Sequence, residues 1–129
     1  MKAELVQSFV RLEQAIVKER GECALFALFA REDLPDRWDL VIAAPWITSQ
    51  KEGAEFVVSE IKQSMGAVVL TDLSRIVFVK PSDAPVVAIN KAIQVKHSVV
   101  EVKDSDFFGL PIRHAFIITS QALTAPLTK

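Results

Sequence analysis

Leu5, Phe9, Leu12 and Ile16 recur at three- and four-residue intervals, and Val6 and Val10 widen the stripe. That spacing predicts an amphipathic helix over residues 3–20. Lys18 and Arg20 fall in its last turn, where cations suit the helix dipole. Gly21 follows as a left-handed cap. Residues 23–31 (CALFALFAR) have almost no polar position. A strand of that kind must be covered on both sides. Alanine and leucine would also permit a buried helix, but the length of the run and the preceding Gly21 favour a strand. Charge and Pro35 make residues 32–37 a turn, and residues 38–44 (WDLVIAA) a second apolar strand. The connection is short enough to make the two strands an antiparallel hairpin.

Pro45 ends the second strand, and Ser49 with Glu52 has the spacing of a capping box. A helix then runs to about Met65 on an apolar face of Ala54, Val57, Val58, Ile61 and Met65, with Gly66 as its cap. Residues 67–74 fit no single period. Residues 75–80 (RIVFVK) read as a strand stopped by Pro81. Asp83 can cap a short helix over 84–94, because Pro85 is tolerated in a first turn. Residues 98–103 (SVVEVK) read as a more exposed strand, 104–111 (DSDFFGLP) as a loop and 113–120 (RHAFIITS) as a buried strand. The tail after Gln121 reads as loose.

The order α-β-β-α-β-α-β-β predicts an α+β fold with a three-layer tendency. Its core is a mixed five-stranded sheet with helices on the sheet faces. Four strands apolar on both faces are more than three helices cover easily, which argues for association.

Composition sharpens that expectation. The chain has 129 residues, near the size of a single domain. Half of it is hydrophobic, with a mean hydropathy of +0.29. Apolar content beyond what one small core hides must face something, and a homodimer or a protein partner is the expected answer. Fifteen basic residues against sixteen acidic ones give a net charge of −1, unlike the basic footprint of a nucleic-acid binder. One cysteine, Cys23, cannot form an internal disulfide and suits a cytoplasmic location. No apolar run reaches membrane-spanning length, and Glu4 and Glu13 interrupt any export signal.

Candidate chemistry is sparse. Val99-Val100-Glu101-Val102-Lys103 resembles the second half of the PD-(D/E)xK nuclease signature. In that family the acid binds a divalent metal and the lysine steadies the attacking water or the developing charge. Residues two apart on a strand share a side, so Glu101 and Lys103 can share a site. The resemblance also asks for an upstream aspartate, for which Asp83 and Asp72 are the candidates. A helix between Asp83 and Glu101, and a further strand after Lys103, depart from the family's pattern. The same pair also reads as the solvent face of an edge strand, where charges discourage aggregation. Asp104 and Asp106 join Glu101 in an acidic cluster of the oxygen type that hard cations use, and equally suit a solvated turn.

His97 and His114 read as hydrogen-bonded, partly buried side chains with no shared metal. No glycine-rich phosphate loop occurs, and one cysteine excludes a C-x-x-C zinc site. No cofactor is implied. Trp46, where a strand enters a helix, occupies the crevice position of open α/β sheets. Phe107 and Phe108 would crowd a short loop and offer a contact surface. The leading expectation is a protein-interaction or accessory module that self-associates. The alternatives are a metal-dependent phosphodiesterase using Glu101 and Lys103, and a small-ligand sensor with a cleft beside Trp46.

Overall fold

Strands without a polar face can only lie inside a sheet, and strands carrying charge belong at its edges. The computed structural model, which describes residues 3–33 and 36–123, obeys that rule. Leu34 and Pro35 of the turn, and the tail from residue 124, lie outside the described residues. The elements are α1 (Ala3–Arg20), β1 (Leu25–Arg31), β2 (Trp38–Ala43), α2 (Gln50–Ser64), β3 (Leu73–Val79), α3 (Ala84–Ala92), β4 (Val100–Phe107) and β5 (Leu110–Ser120). The sheet order is β3-β2-β1-β5-β4. The apolar β1 and β2 are interior, and the charged β4 and the mixed β3 are the edges. β1 pairs antiparallel with β2 and β5, and β5 with β4; β2 and β3 run parallel, with α2 in the crossover.

One sheet face carries Phe26, Leu28, Leu40, Ile42, Phe116 and Ile118 under α1 (Phe9, Leu12, Ile16) and α2 (Val57, Ile61). The other carries Leu25, Ala27, Phe29, Val41, Ala115 and Ile117 under Val86 and Ile89 of α3. A nine-residue helix cannot cover that second face alone. The tip of the β4–β5 hairpin completes the cover: Phe107 stacks on Phe29 at 4.9 Å and 11°, and Phe108 tilts against it at 6.1 Å. The apolar excess is therefore largely absorbed inside. Among the described residues the exposed large hydrophobics are Val68 (74%) and Val87 (38%). The expected uncovered sheet face is corrected accordingly.

Three local expectations are also corrected. Residues 104–111 are not a loop. β4 runs through Phe107, and Phe108 and Gly109, at φ 55° and 73°, form a two-residue turn into β5. Two positive-φ residues match the twist of flanking strands, but a phenylalanine in the first position does not advertise such a turn. Asp83 stands at the N-cap of α3 yet gives it no side-chain bond. Its carboxylate instead accepts from the Lys80 amide at 3.0 Å. The capping box of α2 is half formed. Ser49 Oγ accepts from the Glu52 amide at 3.1 Å, while the Glu52 carboxylate turns to the Thr48 hydroxyl at 2.6 Å. Residues 67–72, which showed no period, form a 3₁₀ turn that leads into β3.

The two sheet edges differ. At β3 the Gln50 side-chain amide acts as a substitute strand: it donates to the Ile76 carbonyl at 2.8 Å and accepts from the Phe78 amide at 3.3 Å. Arg37 donates to the Leu73 carbonyl at 2.6 Å. Among the described residues, no segment pairs with the outer side of β4.

Candidate functional site

Alternation along β4 is interrupted once. Val100 and Val102 are half-buried, as are Ser105 and Phe107, whereas Lys103 and Asp104 are both exposed. Asp104 has φ 50°, a left-handed conformation that an aspartate tolerates better than most residues. On the neighbouring β5, the register against β1 slips between Ala30 and Arg31, opposite His114 and Ile112. Together these irregularities let Lys103, Asp104, Arg113 and His114 line one cleft of about 1130 Å³. Trp38 and Asp36 at the start of β2, Glu32 after β1 and Asp72 before β3 complete its polar wall.

The Glu101 carboxylate contacts Nε2 of His114, one of the residues lining that cleft. Lys103 Nζ lies 4.0 Å from the same carboxylate. The His114 ring rests against Phe116 (4.5 Å) and Trp38 (5.7 Å), which fixes its plane. Glu101 and Lys103 are well exposed, so their mutual attraction is screened and small. Four carboxylates line the cleft against two permanent cations, Lys103 and Arg113. Among the described residues, those lining it carry no hydroxyl or thiol.

Lys103, Asp104 and Asp72 line this cleft with His114, which Glu101 touches. Asp72 precedes β3 and Asp83 follows it, so both belong to the opposite edge of the sheet from Glu101. Four strand spacings separate those edges, roughly 19 Å, too far for a shared metal. Glu101, Asp104 and Asp106 are spread along an extended strand at about 3.3 Å per residue. Among the described residues no three histidine, cysteine, aspartate or glutamate side chains are grouped to hold a metal ion. Phe107 and Phe108 are half-buried on Phe29 rather than held out to solvent.

Trp46 lies elsewhere. Its indole N–H donates to the Gly21 carbonyl at 3.1 Å and its ring meets Phe56 edge-on at 5.8 Å. Arg20 covers the Phe56 ring at 4.1 Å. A smaller cleft of about 420 Å³ lies between Trp46 and α2.

A second polar cluster occupies the opposite end of the sheet. Glu13 on α1 is fully buried. Its two oxygens lie 2.7 and 2.9 Å from His97 Nδ1, and the Thr119 hydroxyl donates to it at 2.8 Å. The His97 amide donates to the same hydroxyl at 3.1 Å, with His97 itself at φ 53°. His97 Nε2 lies 3.6 Å from Glu22, which the Gln121 side chain also contacts at 3.2 Å. A sequence signal existed for this cluster, because Glu13 follows Phe9 by four residues and so sits on the apolar stripe. Cys23 is close by, but burial, then the carboxylates of Glu13 and Glu22, push its thiol far above the ordinary range. It is therefore no nucleophile at neutral pH. The cluster ties α1, the segment before β4 and β5 to one another.

Arranged by their surroundings, the polar groups divide into an open, mixed-charge cleft beside a free edge strand and a closed, satisfied tie at the far end. No protein-family model, curated protein or solved structure matches the chain.

Proposed function

We propose that the chain is an interaction module that associates with itself through the outer edge of β4. The observation that carries this reading is the contrast between the two edges. Gln50 holds the Ile76 carbonyl and the Phe78 amide of β3 and Arg37 holds its Leu73 carbonyl, while the outward backbone groups of β4, those of alternate residues in a strand of eight, have no paired segment among the described residues. An exposed strand edge is a template for another strand. The aromatic pair Phe107–Phe108 supports the hairpin from within. Sedimentation velocity from 1 to 100 µM, on the order of the range where weak strand-edge dimers form, should show a dimer. Gln50→Ala, which unseals β3, should add larger species. A monomer at every concentration would defeat the proposal.

A second reading rests on one contact, the Glu101 carboxylate against His114 in the cleft wall. A carboxylate that orients an imidazole is the support a general base uses, and Lys103 and Arg113 could steady an anion. The four carboxylates, which repel a phosphate, weigh against it. It requires that RNA or DNA be cleaved in EDTA and that His114→Ala abolish the cleavage. Intact nucleic acid with the wild-type protein would dismiss it.

A further inference from the structure

We infer that a second copy of this chain pairs antiparallel with β4 about a twofold axis through Val102. This inference rests on self-association through β4 and adds the register. A twofold interface must be complementary to itself: when residue i meets residue j, j also meets i. In the stretch Val100-Glu101-Val102-Lys103-Asp104, an axis at Val102 sets Glu101 opposite the partner's Lys103, and Lys103 opposite the partner's Glu101. Residues directly opposite on an antiparallel pair are close neighbours, and opposite charges there attract while like charges repel. Other axes give no such double match. One at Val100 sets Glu101 opposite the partner's Val99, and one at Ser105 sets Asp104 opposite the partner's Asp106. One between Asp104 and Ser105, though it opposes Lys103 to the partner's Asp106, faces two successive residues whose backbone groups point to opposite sides of the strand. An axis at Glu101, Lys103 or Asp104 opposes a charge to itself. An axis between Val102 and Lys103 sets Glu101 against the partner's Asp104, and one between Lys103 and Asp104 sets Glu101 against the partner's Asp106.

The fold agrees with that axis on both sheet faces. Val102 packs against the cluster beneath α3, so Val102 meeting the partner's Val102 extends an apolar surface. Glu101 and Lys103 belong to the cleft side, where His114 already touches Glu101. Asp104, at φ 50°, interrupts the alternation of β4 just past the paired charges. The sheet then continues across the axis as ten strands, and the two clefts adjoin.

Charge reversal provides the test on the full chain. Lys103→Glu keeps the Glu101–His114 contact but sets like charges opposite each other twice, and should weaken the dimer about tenfold in sedimentation equilibrium. Glu101→Lys should do the same, and the double variant Glu101→Lys/Lys103→Glu should return the dimer to within about twofold of wild type. Val102→Cys should form a covalent dimer on mild oxidation, because facing Cα atoms in such a ladder lie within disulfide reach. Cys23, the other cysteine, is buried. A wild-type dimer that ignores both single reversals, or that links through Asp106→Cys and not Val102→Cys, would overturn the register and leave self-association standing. A wild-type monomer would overturn both. Thermal melts of each variant confirm that the fold survives.

Discussion

Replacing His97 with alanine should cost about 3 kcal/mol of folding stability, because it strands a buried carboxylate. Glu13 has no exposed surface, and its partners are the His97 ring and the Thr119 hydroxyl. A buried charge that loses one partner keeps its desolvation cost and loses the attraction that offset it. Two further variants separate this cause from simple loss of side-chain volume. Glu13→Gln should cost less than His97→Ala, since a neutral amide is cheaper to bury. Adding Glu13→Leu to His97→Ala should recover much of the loss, because an apolar side chain suits the surrounding Phe9, Leu12 and Ile16. Urea denaturation of the three proteins at neutral pH decides the matter. A loss below roughly 1 kcal/mol for His97→Ala would mean that stranding the Glu13 carboxylate is not the dominant cost.

The cluster matters beyond its own energy because of where it fastens the chain. His97 precedes β4 by three residues, and its amide is held by Thr119 of β5 while its ring is held by Glu13 of α1. The bridge between Val95 and Ser120 and the bond from the Ser98 amide to the Ile118 carbonyl hold the same segment to the sheet. The start of β4 is thus fixed from two elements, so the open edge belongs to a braced strand.

Much of this fold is legible in the residues because burial imposes a period on them. The stripe of α1, the unbroken apolar runs of β1 and β2, and Ser49 ahead of α2 each follow from a local cause. The features missed depend on residues far apart in the chain. Nothing near Gln50 indicates that its amide will seal β3, since Ile76 and Phe78 lie some 26 and 28 positions away. The run Asp104-Ser105-Asp106 suggests a turn by composition, yet an exposed edge strand tolerates the same charges. Phe108 conceals a turn that asparagine would have signalled. The cleft is assembled from α1, four of the strands and the segment before β3, so only the tertiary arrangement reveals it. Asp39, the charged residue inside β2, is likewise explained only by its neighbours, Arg31 at 3.4 Å and Arg75 at 3.1 Å.

Gly53 offers the sharpest test of how α2 sits on the sheet. A Cβ built there would lie 2.9 Å from Phe78 Cζ and 3.0 Å from Cε2, inside contact distance of the ring. In a helix, alanine is favoured over glycine by about 1 kcal/mol, so an unobstructed site would be stabilised. Here overpacking, worth about 1–3 kcal/mol, opposes that gain. Gly53→Ala should therefore destabilise the protein by about 1 kcal/mol, the difference between the overpacking and propensity effects. The sign should invert once the ring is removed. In a Phe78→Leu background, itself weakened by the lost ring, Gly53→Ala should stabilise, because helix propensity is then the larger effect. Chemical denaturation of the four proteins in the cycle reads this directly, and a stabilising Gly53→Ala in the wild-type background would show that Phe78 simply swings aside. The close approach also reaches the edge of the sheet. Gln50 lies one helical turn before Gly53 and holds the backbone of Phe78 itself. By letting α2 descend onto the Phe78 ring, the glycine places that amide where it can hold the Ile76 carbonyl and the Phe78 amide of β3.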